Sequence, residues 1–307
     1  MSGSRLLSDE VLAAIGTTAS YRAPEPLGLA SFRYFSEAIG DPNPAYRDPV
    51  GAHMAGWPEV IAPPTLLCET NQYTDLRRNA DGYAGHTWDL PWPEPVTLIR
   101  GGNDYAFIRP AVADDVICVE WRLVELAAKA DFVVATSEAI YTNQHRVRLV
   151  VNREYALYRP TAAPRPLDGS RSSTPVPAPP LDGEGAQVGT SLHTLELADL
   201  VAYAGAAWDW HRLHYDEAFA RSHGLAGVVA DGQLIGALLA SHAHDATGPR
   251  SVLTRLAFRN RAPVYAGDTV RCIGRVTERN GPLVTLIQQA LVGERLVATA
   301  TAEAIER

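Results

Sequence analysis

The feature that most constrains this chain is an internal break. From Arg159 to about Gly189 the sequence is dense in Pro, Gly and Ser and nearly devoid of large apolar side chains. Proline fixes φ and removes a backbone donor, so such a run cannot continue a ladder and reads as an extended connector. Two folded lobes are expected, 1–158 and 190–307, joined by a Pro-rich linker over 159–189. That division suits 307 residues at roughly 150 per domain.

The lobes read as copies of one another. Tyr34 to Asp48, leading to Val60-Ile61-Ala62-Pro63-Pro64-Thr65-Leu66, aligns without a gap on Ala202 to Asp216, leading to Val228-Val229-Ala230-Asp231-Gly232-Gln233-Leu234. Asp41 falls on Asp209, Tyr46 on His214, Asp48 on Asp216 and Gly56 on Gly224. A second block, Ala106 to Val116, matches Phe258 to Val270, with Pro110 on Pro263 and Asp115 on Asp268. Two blocks in the same order indicate duplication of a whole domain rather than a short-period solenoid.

Each copy reads helices first and strands last. Leu197 to Ala207 has apolar spacing of 3–4, the mark of an amphipathic helix. Gln233 to His242 is apolar nearly all round, which suits a buried central helix, and Thr65 to Leu76 is expected to be its counterpart. Strand-like runs follow at 96–108, 115–127, 131–143 and 147–158, then at 251–260, 268–278, 282–292 and 295–305. Consecutive strands without intervening helices argue for antiparallel sheets, which two lobes could join edge to edge.

Composition excludes several classes. Lys plus Arg is 27 against 35 Asp plus Glu, a formal charge of -8, so nucleic acid is not an expected partner. No apolar run reaches the roughly 18 residues of a membrane helix. Residues 1–14 carry Arg5, Asp9 and Glu10 without an apolar core or cleavage pattern, so no secretory leader is expected. Cys68, Cys118 and Cys272 are odd in number and far apart, which suits neither a disulfide framework nor a zinc cluster. A soluble, reduced, cytoplasmic protein is the expectation.

The chemistry concentrates in Asp209-Trp210-His211-Arg212-Leu213-His214-Tyr215-Asp216, directly before a small-residue segment and the apolar helix. Gly232 stands at the expected start of that helix, where unsatisfied N–H groups point outward. The box resembles that of the MaoC-like (R)-specific enoyl-CoA hydratases and hydroxyacyl thioester dehydratases: Gly-Asp-x-Asn-Pro-x-His, then Asp and Phe-Ala. Here Trp208 stands for the Gly and His211-Arg212 for Asn-Pro, while the Asp-to-His spacing is kept and Asp216 and Phe219-Ala220 follow. The first lobe keeps Gly40-Asp41-Pro42-Asn43-Pro44 but has Tyr46 where the His belongs, and it resembles the N-terminal dehydratase-like half of double hot-dog members.

The resemblance implies an α+β double hot-dog fold, two antiparallel sheets each wrapped around a central helix. It implies a hydro-lyase acting on an acyl thioester carried by coenzyme A or an acyl-carrier protein. Asp209 and His214 would be the dyad that activates water, since imidazole exchanges protons near neutral pH. The Gly232 N–H would hold the thioester oxygen, with His211 and Asp231 as further substrate contacts; Asp231 stands where the family has His. No cofactor and no metal are implied, and a homodimer is expected. Two other readings stay open: a hot-dog thioesterase using Glu69, and a non-catalytic acyl-binding protein.

Weaker signals have plainer alternatives. His242, His244 and Asp245 with His211 and His214 match no standard zinc spacing. Arg255, Arg259 and Arg261 could meet phosphates or solvent. Trp88 and Trp92 could cover the acyl end of a pocket or simply pack. Gly101-Gly102 precedes a strand rather than a helix, so it is no phosphate loop.

Overall fold

The computed structural model describes residues 3–161, 181, 185–248 and 250–307. Most of the connector expected over 159–189 lies outside them. At its ends, Arg159 and Pro160 complete a strand, and Gln187 bridges Arg275.

Short helices α1 (Gly3–Leu6) and α2 (Asp9–Leu12) precede strand β1 (Thr18–Arg22), helices α3 (Gly28–Ala38) and α4 (Pro49–Met54), and a single turn, α5 (Leu66–Glu69). Four long strands follow: β2 (Val96–Phe107), β3 (Cys118–Ala128), β4 (Val133–Thr142) and β5 (Arg148–Pro160). The second part repeats this order with β6 (Ser191–Thr194), α6 (Leu197–Ala206), α7 (Glu217–Ser222), α8 (Gly232–Thr247), β7 (Val252–Asn260), β8 (Thr269–Asn280), β9 (Leu283–Val292) and β10 (Arg295–Ile305). The long strands keep close to their expected limits because alternate residues are buried, as along β9 and β4.

The ten strands of the described residues form one antiparallel sheet in the order β1-β3-β4-β5-β2-β7-β10-β9-β8-β6. Read outward from the β2–β7 seam, the two sides have the same strand sequence. The seam pairs Gly102 with Arg259 through to Ala106 with Arg255. Gly101-Gly102 serves this junction. Gly102 has φ +142°, and a Cβ there would sit 2.2 Å from the Phe258 carbonyl oxygen. A β-bulge falls between Arg100 and Gly102, and a matching one at Thr254, between Leu253 and Arg255.

Helix α8 lies against the sheet and is buried along most of its 16 residues. Asp231 caps it, its Oδ1 accepting from the Gln233 N–H at 2.9 Å. Gly236 lets the helix approach the sheet: a Cβ there would meet the Phe258 ring at 2.5 Å. No helix among the described residues is long and apolar enough to cross a membrane.

The counterpart helix expected over Thr65 to Leu76 is one turn. The chain leaves helical geometry at Thr70 because tertiary partners capture it: the Asn71 N–H donates to the Ala207 carbonyl at the end of α6, and Gln72 Nε2 donates to that of Ala206. Aromatic rings fill the space beyond. His86 packs 4.4 Å from Trp88 and 4.8 Å from Trp121, and Tyr73 5.7 Å from Tyr141. Burial lowers the His86 pKa to about 4, so the ring packs as a neutral group. Trp88 donates to Ser137 Oγ and Trp92 stacks near Tyr158, so both tryptophans pack on their own side of the sheet.

Candidate active site

The box at Asp209 begins with an awkward residue. Trp208 has φ +56°, a left-handed conformation that disfavours a side chain, where its counterpart Gly40 has φ +67°. Stacking compensates in part: the Arg78 guanidinium lies 4.8 Å from the Trp210 ring and 5.6 Å from that of Trp208. Asp209 is 3% exposed, and its Oδ1 accepts from the His211 N–H at 3.0 Å. His211 then opens a 3-10 turn, Arg212–His214, its Nδ1 accepting from the Leu213 N–H. Asp216 caps α7 and holds Arg212 at 2.7 Å.

The turn aims His214 inward. Its Nδ1–H donates to the Val229 carbonyl at 2.8 Å. A carbonyl only accepts, so in the neutral ring the lone pair is on Nε2. One donor atom from each of Asp209, His214 and Asp231 lies within 4.8 Å of the others. At the full 4.8 Å, a point equidistant from all three is about 2.8 Å from each, a hydrogen bond to water. Two carboxylates and an imidazole are also a donor set that suits a divalent cation. Asp231 Oδ2 is buried without a partner. Gly232, the first residue of α8, has an N–H with no acceptor inside the helix. A Cβ on Gly232 would sit 2.3 Å from Asn260 Nδ2.

Burial, then the neighbouring Asp231 carboxylate, raises the Asp209 pKa to about 6; His214, the His211 N–H and Arg100 oppose the shift. Burial, then His214, lowers the His211 pKa to about 4, so that ring is neutral at ordinary pH. His211 packs between Tyr83 and Phe219, 6.0 Å from His214. It flanks the cluster of three rather than joining it.

Sequence reasoning missed the wall that the first half contributes. The turn at residues 79–83 lies on the box: Arg212 N–H donates to the Asp81 carbonyl, and a Cβ on Gly82 (φ +89°) would be 2.1 Å from the Trp210 oxygen. Arg100, set by the β2 bulge, pairs with Glu154 and supports the pocket from behind Gly232, its carbonyl accepting from Asn260 Nδ2. The Gly101-Gly102 pair was the one available signal, and it marks the seam. Glu69, the thioesterase candidate, is 2% exposed; burial, with Asp231 also contributing, holds its carboxyl well above the usual range against a hydrogen bond from Tyr203.

The remaining candidates have protein partners. His242 donates to the Gly189 carbonyl and accepts from Gln288; His244 bonds Asn43 and Ser251. Arg255 is paired with Asp104 and Glu303, Arg259 lies over the Tyr155 ring at 3.9 Å, and Arg261 reaches Thr299.

Two family descriptions match the chain: a FAS1-like dehydratase domain region over residues 13–151, and a MaoC-like domain over 183–291. A UPF0336 protein of Thermobifida fusca (strain YX) is 30% identical over 122 residues, 39% of this chain and 76% of the relative. A solved MaoC-like dehydratase superposes with TM-score 0.74 at 20% identity, covering 96% of this chain and 99% of that one. A conserved Mycobacterium tuberculosis protein described as having a double hot-dog fold superposes at 0.64 and 16% identity, covering 95% and 96%.

Proposed function

We propose a reaction from one premise: the chain belongs to the MaoC-like dehydratase family, in the double hot-dog form with an N-terminal dehydratase-like half. The family is one of hydro-lyases. This member adds water to a 2-enoyl thioester, or removes it from the 3-hydroxyacyl thioester, on coenzyme A or a carrier protein.

In the hydration direction, Asp209 and His214 hold the water. One of them takes a proton as the oxygen bonds to C3, and electrons pass through C2 to the thioester oxygen. The Gly232 N–H, at the positive end of α8, stabilises that oxygen, an interaction worth ~3–4 kcal/mol in comparable sites. A proton returned to C2 completes the addition, and dehydration is the reverse. His211 and Asp231 line the substrate side. The observation that carries the reading is the cluster of Asp209, His214 and Asp231 within 4.8 Å, both carboxylates buried and His214 half-buried, with His214 fixed by its Nδ1–H bond to Val229. Glu69 is 2% exposed, held by Tyr203, and burial penalises its carboxylate form, which weighs against its use as a nucleophile in thioester hydrolysis. An acyl-binding module has no need of such an acid–base pair. Homodimerisation and a cytoplasmic setting belong to the same proposal.

The test is the conjugated enoyl absorbance of crotonyl-CoA. Wild type should bleach it, and His214→Ala should be slower by ~10²–10⁴-fold. Absence of bleaching with crotonyl-CoA and with branched, dicarboxylic and carrier-bound enoyl thioesters would rule the reaction out.

A further inference from the structure

A cavity of about 60 Å³, opening to solvent, lies beside Tyr46. Its walls include Tyr46, Ile61, Pro64, Leu67, Phe107 and Leu253. In the repeat, Tyr46, Ile61, Pro64 and Leu67 answer to His214, Val229, Gly232 and Ile235. Leu253 answers to Arg100, since each lies just before its bulge, at Thr254 and at Gly101. The cavity therefore occupies the position that the reaction centre occupies in the other copy. The two are separate: His244, near the end of α8, lines the cavity, and it lies about 18 Å along the helix from Gly232 at 1.5 Å per residue.

We propose that this cavity is a second thioester site, which holds an acyl thioester without converting it; the assignment of the ligand rests on the hydro-lyase reading above. The loop that would shape the thioester arm is kept bond for bond. Asn43 N–H donates to Asp41 Oδ1 and His211 N–H to Asp209 Oδ1; Ile61 N–H donates to the Ala45 carbonyl and Val229 N–H to that of Leu213. Ile61 bridges Val112 as Val229 bridges Tyr265.

The groups proposed to react are replaced. Tyr46 supplies a phenol whose pKa is raised by burial, then by Asp41, so it does not exchange protons near neutrality as imidazole does. Pro64 has no N–H to offer a thioester oxygen. Leu253 replaces a guanidinium with an alkyl wall suited to an acyl chain. Asn43, His244 and Ser251 form a hydrogen-bonded polar end. Exposed Arg109 borders the cavity, where a cation suits the phosphate of coenzyme A or phosphopantetheine.

The experiment is calorimetric titration of the full chain with butyryl-CoA, which is saturated and cannot be hydrated. Two molecules per chain are expected in wild type. Val252→Trp, at a half-buried wall, and Leu67→Trp, deeper in, should each leave one, with crotonyl-CoA hydration within about two-fold of wild type. One molecule per chain in wild type overturns the second site, and so does a value of two that Val252→Trp leaves at two. The same samples separate the failures. Hydration with one molecule bound sinks the second site alone. Two bound, reduced to one by Val252→Trp, with no enoyl thioester hydrated, sinks the reaction and retains the site.

Discussion

Asp41 and Asp209 sit in matching turns. Each carboxylate accepts the N–H two residues on, at 2.9 and 3.0 Å, and each turn runs into a 3-10 segment and an Asp-capped helix. Beyond the first turn Tyr46, Pro64 and Leu253 line a cavity; the second turn sets Asp209 beside His214 and Asp231, at the start of α8. The backbone that makes the turn depends on a few small or cap-forming residues. On the proposed reading the chemistry depends on side chains that the turn merely aims, so one can be lost while the other persists.

Four measurements can break or sharpen this contrast. The largest effect is expected from paired isosteric changes. Asp209→Asn and Asp41→Asn both keep an oxygen for the neighbouring N–H, so both turns should survive. Enoyl-thioester turnover should fall by ~10²–10⁴-fold for the first and hold for the second. Equal losses would mean that Asp209 acts only on the turn.

Next is the helix start. A Cβ on Gly232 would press at 2.3 Å on Asn260 Nδ2, whose amide is tied to Arg100. Gly232→Ala should lower kcat by ~10²-fold through loss of the oxyanion donor's position. Pro64→Gly should leave kcat unchanged, and a comparable fall there would contradict the assignment of roles.

Acidity comes third. The Asp209 pKa is about 6 in the folded protein against 3.8 in a free side chain, so ionisation is harder after folding. That contribution to stability is present at low pH and is lost as pH rises through about 6, by at most roughly 3 kcal/mol. Melting curves at pH 5 and pH 8 should therefore show a gain for Asp209→Asn at the higher pH. With ionised Asp209 required, turnover should decline below about pH 6. Melting temperatures that track wild type at both pH values would remove the buried-charge explanation.

The smallest effect concerns the residue before each Asp. Gly40→Ala should cost about 1 kcal/mol in a denaturant titration, because φ is +67°. Trp208→Gly should stay within ~1 kcal/mol of wild type, relief of the left-handed backbone being offset by the lost Arg78 contact. A large gain would show the stacking to be worth little.

Local pattern explains what could be read beforehand. The long strands were legible because their alternation is local, and α8 because Asp231 caps an unbroken apolar run. The approach of Asp209 to His214 was legible because they lie five positions apart on one local turn. β1 and β6 left no signal: each is a short strand held by its neighbour, β3 or β8. The helix expected over Thr65 to Leu76 stopped early because Asn71 bonds a carbonyl far along the chain. Arg100 and Tyr83 reach the cluster only through the seam and the 79–83 turn. No periodicity encodes such distant contacts.

The seam also bears on solubility. A sheet edge is a row of unpaired donors and acceptors that invites another chain to add to it. Here β2 and β7, the inner strands of the two halves, satisfy each other over Gly102–Ala106 and Arg255–Arg259. The outer edges are β1 and β6, of 5 and 4 residues, too short to template much growth. Severing the halves would expose the long inner edges at once. Each fragment would then be expected to cling to another copy through that edge or precipitate, so covalent union of the halves keeps the inner edges from pairing with other chains.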